Sequence, residues 1–140
     1  MKKRLFIDTN IMLDLVGERE PFYRFAAQLA TLADQKKLEI IVSPLSFATV
    51  NYLLSKFENQ TAVIEKLRKF KIISDTCAMD DSIVEKGLHS NFSDFEDALQ
   101  YYSAIAANCD IIITRNGKDF KNPSIPIMTA EEYLKSIGFG

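Results

Sequence analysis

Cysteine and histidine are scarce in this 140-residue chain, which has Cys77, Cys109 and a single histidine, His89. Two cysteines so far apart make neither a disulfide framework nor a Cys-rich zinc site. They read as small buried hydrophobes in a reducing compartment. One histidine excludes zinc catalysis built on several. Five Gly and four Pro are too few for a low-complexity or collagenous chain. No Gly-rich phosphate loop occurs, which excludes an ordinary nucleoside-triphosphate enzyme. No apolar run approaches the roughly 20 residues of a membrane span. The basic start, Met1 to Arg4, is followed only by Leu5-Phe6-Ile7 before Asp8 intervenes. That is too short for the apolar core of a signal peptide, so a cytoplasmic protein with no membrane partner is expected. A surplus of positive charge is also missing. Against 19 acidic residues stand 17 basic ones, a net −2, which excludes a basic nucleic-acid clamp as a description of the whole chain but not a local patch.

What is present suits one globular domain over residues 1–140. A hydrophobic share of 47% is enough to build a core without staples. Short apolar runs alternate with helical spacing. Leu5-Phe6-Ile7 predicts a first strand, and Thr9 to Val16 a helix capped by Thr9 and stopped by Gly17. Glu20 to Lys37 carries Phe22, Phe25, Ala26, Leu29 and Ala33 at helical spacing. Leu38 to Val42 predicts a second strand, and Ser43-Pro44 opens a helix to about Phe57. Asn59 to Phe70 predicts a helix, Lys71-Ile72-Ile73 a third strand, and Thr76 to Leu88 another helix. Ser93 to Ala107 follows as a helix, with Ser93 and Glu96 as a capping box. Ile111-Ile112-Ile113 predicts a fourth strand, and Ile125 to Met128 a fifth at a sheet edge because of Pro126. Thr129 caps a last helix with Glu132 at its third position. This alternation predicts a parallel sheet covered by helices on both faces.

In such a sheet the site lies beyond the carboxyl ends of the strands. The residues there are Asp8, Ser43, Ser74-Asp75 and Thr114-Arg115-Asn116. Asp94 and Asp97, three apart, share a helix face before the fourth strand. Asn116-Gly117 marks a turn leading to Asp119. Carboxylates converging at strand ends cannot all stay ionised without a cation or proton uptake. Oxygen ligands without His or Cys select a hard ion, Mg²⁺ or Mn²⁺. Such an ion acidifies water and neutralises charge on a phosphodiester. Arg115 and Lys118 in that loop are candidates to hold phosphate oxygens, and Asn10 after the first strand is a further candidate for binding substrate.

Asp8-Thr9-Asn10, Asp94-Phe95-Glu96-Asp97-Ala98 and Thr114-Arg115-Asn116 with Asp119-Phe120 resemble the motifs of PIN-domain nucleases, above all the VapC-type toxins. The resemblance runs from Leu5 to the last helix. It implies a PIN-like three-layer α/β sandwich with a central five-stranded parallel sheet. It also implies Mg²⁺- or Mn²⁺-dependent cleavage of RNA, a homodimer and a small antitoxin as partner. By position, Asp8, Asp97 and Asp119 would hold the ion, Asn116 would ligate it or orient a water, and Asp94 matches an extra acid found in a subset. One departure stands out. The family usually carries a Glu in the helix after the second strand, where this chain has Thr49, and no acid occurs between Glu39 and Glu58. Asp94 is one helical turn from Asp97 and is the residue placed to compensate. The alternative is a degenerate domain that binds RNA or a protein without cutting.

Overall fold

The computed structural model describes residues 1–139. Five parallel strands form one sheet in the order β3-β2-β1-β4-β5: β1 (Arg4–Ile7), β2 (Glu39–Val42), β3 (Ser74–Thr76), β4 (Ile111–Ile113) and β5 (Ile127–Met128). Central β1 pairs Leu5 with Ile40 on one side and with Ile111 on the other. Successive strand residues point to opposite faces. Leu5, Ile7, Ile40, Val42, Ile111 and Ile113 therefore share one core with helices α1 (Thr9–Val16), α2 (Tyr23–Asp34), α3 (Pro44–Leu54), α4 (Gln60–Ile72) and α7 (Ala130–Ser136). Phe6, Ile41 and Ile112 point the other way, onto Tyr101 and Ala104 of α6 (Phe95–Ala106). Burial on both faces is why these strands are near-continuous apolar runs. The remaining helix, α5 (Asp81–Leu88), packs on α6. The two approach closely at Gly87, where a Cβ would lie 3.3 Å from both Leu99 and Phe95.

The chain leaves β1 toward β2 and β3, then crosses back to add β4 and β5 on the other side. The order reverses between β1 and β4, and in open sheets of this kind ligands bind beyond the strands' carboxyl ends at such a switch point. Asp8 and Thr114 sit at that point, and the Asp8 N–H donates to the Ile113 carbonyl at 2.9 Å.

Several local expectations are corrected. The third strand is Ser74–Thr76, not Lys71-Ile72-Ile73, because α4 continues through Ile72 and leaves that side chain 82% exposed. Only Ser74 of this edge strand is buried, so it lacks the apolar signature of a covered strand. Thr76 lies in β3 and caps nothing; Asp80 caps α5. Helix α2 starts at Tyr23, after a turn containing a cis Glu20–Pro21 peptide, and α3 stops at Leu54. Asp8 rather than Thr9 caps α1, and Asp94 rather than Ser93 caps α6. That shift puts Glu96 at the second helical position, so no Ser93–Glu96 capping box forms, whereas the Thr129–Glu132 box does. Among the described residues no helix is long and apolar enough to cross a membrane.

Candidate active site

Asp8 is 6% exposed, yet its carboxylate is well served with donors. Oδ1 accepts from the Thr9 N–H at 2.8 Å and from Gln100 Nε2 at 3.2 Å. Oδ2 accepts from the Thr114 hydroxyl at 2.8 Å. A carboxylate offers about four lone-pair positions, so one on Oδ2 remains for a further ligand.

Asp97 lies in the first turn of α6, half-buried, and its carboxyl is pushed up from 3.8 to about 7. Burial is the largest cause, followed by repulsion from Asp8, Asp94, Asp119 and Glu96. Asp97 thus feels the other three acids predicted to form the site, from the end of β1, the start of α6 and the loop after β4. A positive helix terminus, which favours a nearby carboxylate, does not overcome this repulsion. Asp94 is exposed and spends Oδ1 on the Asp97 N–H at 3.1 Å, as the α6 cap. Asp119 is half-buried in a single 3₁₀ turn, Gly117–Asp119, and its N–H donates to the Asn116 carbonyl at 3.0 Å. Asn116 and Lys118 are exposed on the same loop. Among the described residues, however, no three acids, histidines or cysteines come close enough to hold one ion jointly. A set of four direct carboxylate ligands is therefore not what the fold presents. A hydrated hard cation on one or two carboxylates fits the oxygen-only donors and the crowded negative charge, because Mg²⁺ keeps several waters.

Two residues expected at phosphate have other work. Arg115 makes a two-pronged ion pair with Asp14, Nε to Oδ2 at 2.9 Å and Nη2 to Oδ1 at 3.1 Å, and its guanidinium lies 4.1 Å from the Phe22 ring centroid. The Asp14 side chain is 1% exposed, so this pair anchors the loop after β4 to α1. Asn10 fixes the same loop, donating to the Thr114 hydroxyl at 3.2 Å and accepting from the Arg115 N–H at 3.3 Å. A cavity of about 570 Å³ lies against this anchor, lined by Ile11, Asp14, Phe22, Phe25 and Arg115, and includes neither Asp8 nor Asp97. Tyr101 is core: it is 8% exposed and its hydroxyl is hydrogen-bonded to Ser124.

Sequence reasoning missed a buried polar network. Gln100 is 1% exposed and its Nε2 reaches Asp8 Oδ1, Thr9 Oγ1 (3.2 Å) and Ser46 Oγ (2.8 Å). Its Oε1 accepts from the Ser43 hydroxyl at 2.5 Å. Gln100 interrupts an apolar stretch one turn after Asp97, and that is the signal it left in the sequence. Thr49 is one turn beyond Ser46 on α3 and so shares its helix face.

Position, topology and acids together describe one class of protein, a small α/β nuclease-like domain with its acids at the switch point of a parallel sheet. The family model for the PIN domain matches residues 4–118, and the chain belongs to that family. Ribonuclease VapC1 of Aquifex aeolicus is 29% identical over 138 residues, covering 95% of this chain and 94% of that protein. The structure of VapBC-1 from nontypeable Haemophilus influenzae superposes with a TM-score of 0.67 at 15% identity, covering 91% of this chain and 98% of that one. A toxin-antitoxin complex from Klebsiella pneumoniae gives 0.65 at 21% identity, over 90% and 97%. These structural likenesses show the fold.

Proposed function

We propose that this PIN domain is a divalent-metal-dependent endoribonuclease, the toxin of a toxin–antitoxin pair. The observation that carries the reading is the gathering of Asp8, Asp94, Asp119 and Glu96 around Asp97 near the switch point of the sheet, which together with burial pushes the Asp97 carboxyl up to about 7. Like charges gathered in this way are relieved by a cation. Similarity to the Aquifex ribonuclease over nearly the full chain supports RNA as the substrate. The Klebsiella complex supports a small protein partner. A homodimer is part of the same proposal.

Asp8 and Asp97 would hold Mg²⁺ or Mn²⁺, with Asp94 and Asp119 holding its waters. When bound, the ion supplies a nucleophilic water at neutral pH and neutralises charge building on the phosphodiester. Asp8 contributes the open position on Oδ2, kept in place by Thr114. Asp97 would hold the ion as its carboxylate, so binding would compete with its proton. Asn116 orients a water, and Lys118, exposed at the rim, meets a phosphate oxygen of the RNA. Asn10 and Arg115 act on the substrate only through the loop they fix.

Thr49 and the absence of a three-acid set among the described residues favour a second reading, a domain that binds RNA or a protein without cutting. Calorimetry with Mn²⁺ on the wild type and on Asp97→Asn, with labelled RNA in the same samples, separates the two. Metal uptake and cleavage by the wild type, both lost in Asp97→Asn, support the nuclease. Intact RNA and no uptake at millimolar Mn²⁺ overturn it.

A further inference from the structure

Helix α6 carries Asp97 but touches Asp8 through a different residue. Gln100 lies one turn beyond Asp97 on α6 and reaches across to the end of β1 and the start of α3. Its amide orientation is dictated from both ends. Ser43 Oγ donates to Oε1 at 2.5 Å, and Nε2 faces the acceptors Asp8 Oδ1, Ser46 Oγ and Thr9 Oγ1. Reversing the amide would aim its oxygen at the Asp8 carboxylate, acceptor against acceptor. Ser43 and Ser46 are both 0% exposed, and the Ser46 hydroxyl is 2.7 Å from that of Thr9. Ser43, Ser46 and Gln100 are closed to water, so a broken link among them leaves polar atoms unsatisfied.

We propose that Gln100 is the positioning residue of the site, a neutral tie that holds the Asp8 carboxylate in one conformer and fixes α6, and with it Asp97, against β1 and α3. The tie crosses to α3 through Ser46, on the helix face that also carries Thr49. A neutral carboxamide and two serine hydroxyls thus secure that side of the site by hydrogen bonding. The proposal rests on the metal-ribonuclease reading for its activity readout and on geometry for the rest.

Two variants test it. Gln100→Met keeps the volume and removes every hydrogen bond. Gln100→Glu keeps the shape and an acceptor for Ser43 but turns the group facing Asp8 into an acceptor. Gln100→Met, shown folded by circular dichroism, is expected to bind Mn²⁺ on the order of 10-fold more weakly, as outer partners of ligands do, while Gln100→Glu, whose added charge acts on the cation directly, is judged by kcat and by the conformer of Asp8. RNA cleavage should lose kcat by a similar factor with KM for RNA unchanged. Crystal structures of the metal-free variants should show Asp8 in a new or divided conformer, or α6 displaced. A folded Gln100→Met with wild-type Mn²⁺ affinity and an unmoved Asp8 overturns the proposal. If the wild type itself takes no metal and cuts no RNA, the functional reading fails, and the conformer of Asp8 in the variant crystals alone decides on Gln100. If Gln100→Met does not fold, Ser43→Ala removes the hydroxyl that orients the amide and is judged by the same readouts.

Discussion

At Asp97 the fold holds a carboxyl against the loss of its own solvation and against four neighbouring acids. Unfolded, the group gives up its proton near 3.8; folded, it keeps it to about 7. Between those values the folded chain binds more protons than the unfolded one, so stability falls as pH rises through the window and levels off above it. Asp97→Asn removes that penalty. The variant is expected to be more stable than the wild type at pH 8, on the order of 1 kcal/mol and well below the full shift, because the carboxyl is partly open to screening water. It should match the wild type near pH 4, and urea unfolding at both values checks this. A variant no more stable at pH 8 would show that the acids around Asp97 do not crowd it. Thr49→Glu places an acid on the helix face of Ser46, and Mn²⁺ affinity should rise several-fold, since cation sites follow ligand charge. Calorimetry reads the change, and unaltered affinity would place residue 49 away from the ion.

The elements that carry the site are held by caps and by the part-buried ion pair of Asp14 with Arg115. Asp94 has two separable tasks, capping α6 and adding charge beside Asp97. Asp94→Ser keeps a cap and removes the charge, so melting should stay near wild type while Mn²⁺ binding weakens. Asp94→Ala should in addition cost about 1 kcal/mol, the usual value of a lost N-cap. Asp14 ties α1 to the loop after β4 through Arg115. Asp14→Ala leaves the guanidinium without its partner and is expected to destabilise by about 1–3 kcal/mol, less than at a fully buried pair because Arg115 reaches water. Hydrogen exchange of residues 115–119 should quicken in that variant beyond what the global loss accounts for. Replacing both partners, as Asp14→Leu with Arg115→Met, should recover most of the stability, because no charge is then left unpaired.

Across the whole molecule the sheet brings together acids from three distant stretches of chain, and a ligand of that assembly must stabilise the fold. Mn²⁺ at about 100 times its Kd should add about 2.7 kcal/mol. The rise in melting temperature should be larger at pH 8 than at pH 6, where the cation must displace the Asp97 proton. A chelator should reverse it. Equal shifts at the two pH values would mean that Asp97 does not ligate.

The fold class was legible because covered parallel strands must be apolar, and β1, β2 and β4 are. The capping box of α7 was legible for a local reason, since Thr129 and Glu132 meet within one turn. Edge strand β3 was not, because Asp75 and Thr76 face solvent and carry no hydrophobic pattern. Caps slipped by one residue where neighbouring residues, Asp8 with Thr9 and Ser93 with Asp94, are equally good N-caps. The amino-acid order by itself determined where acids stand relative to strand ends, since a strand's length and the following turn are local matters. Only tertiary structure decided which polar groups meet. Asp14 with Arg115 and Gln100 with Asp8 lie 101 and 92 residues apart, and no local rule links such pairs. Their partners are chosen by the packing of α1 and α6 against a sheet whose middle strands come from opposite ends of the chain.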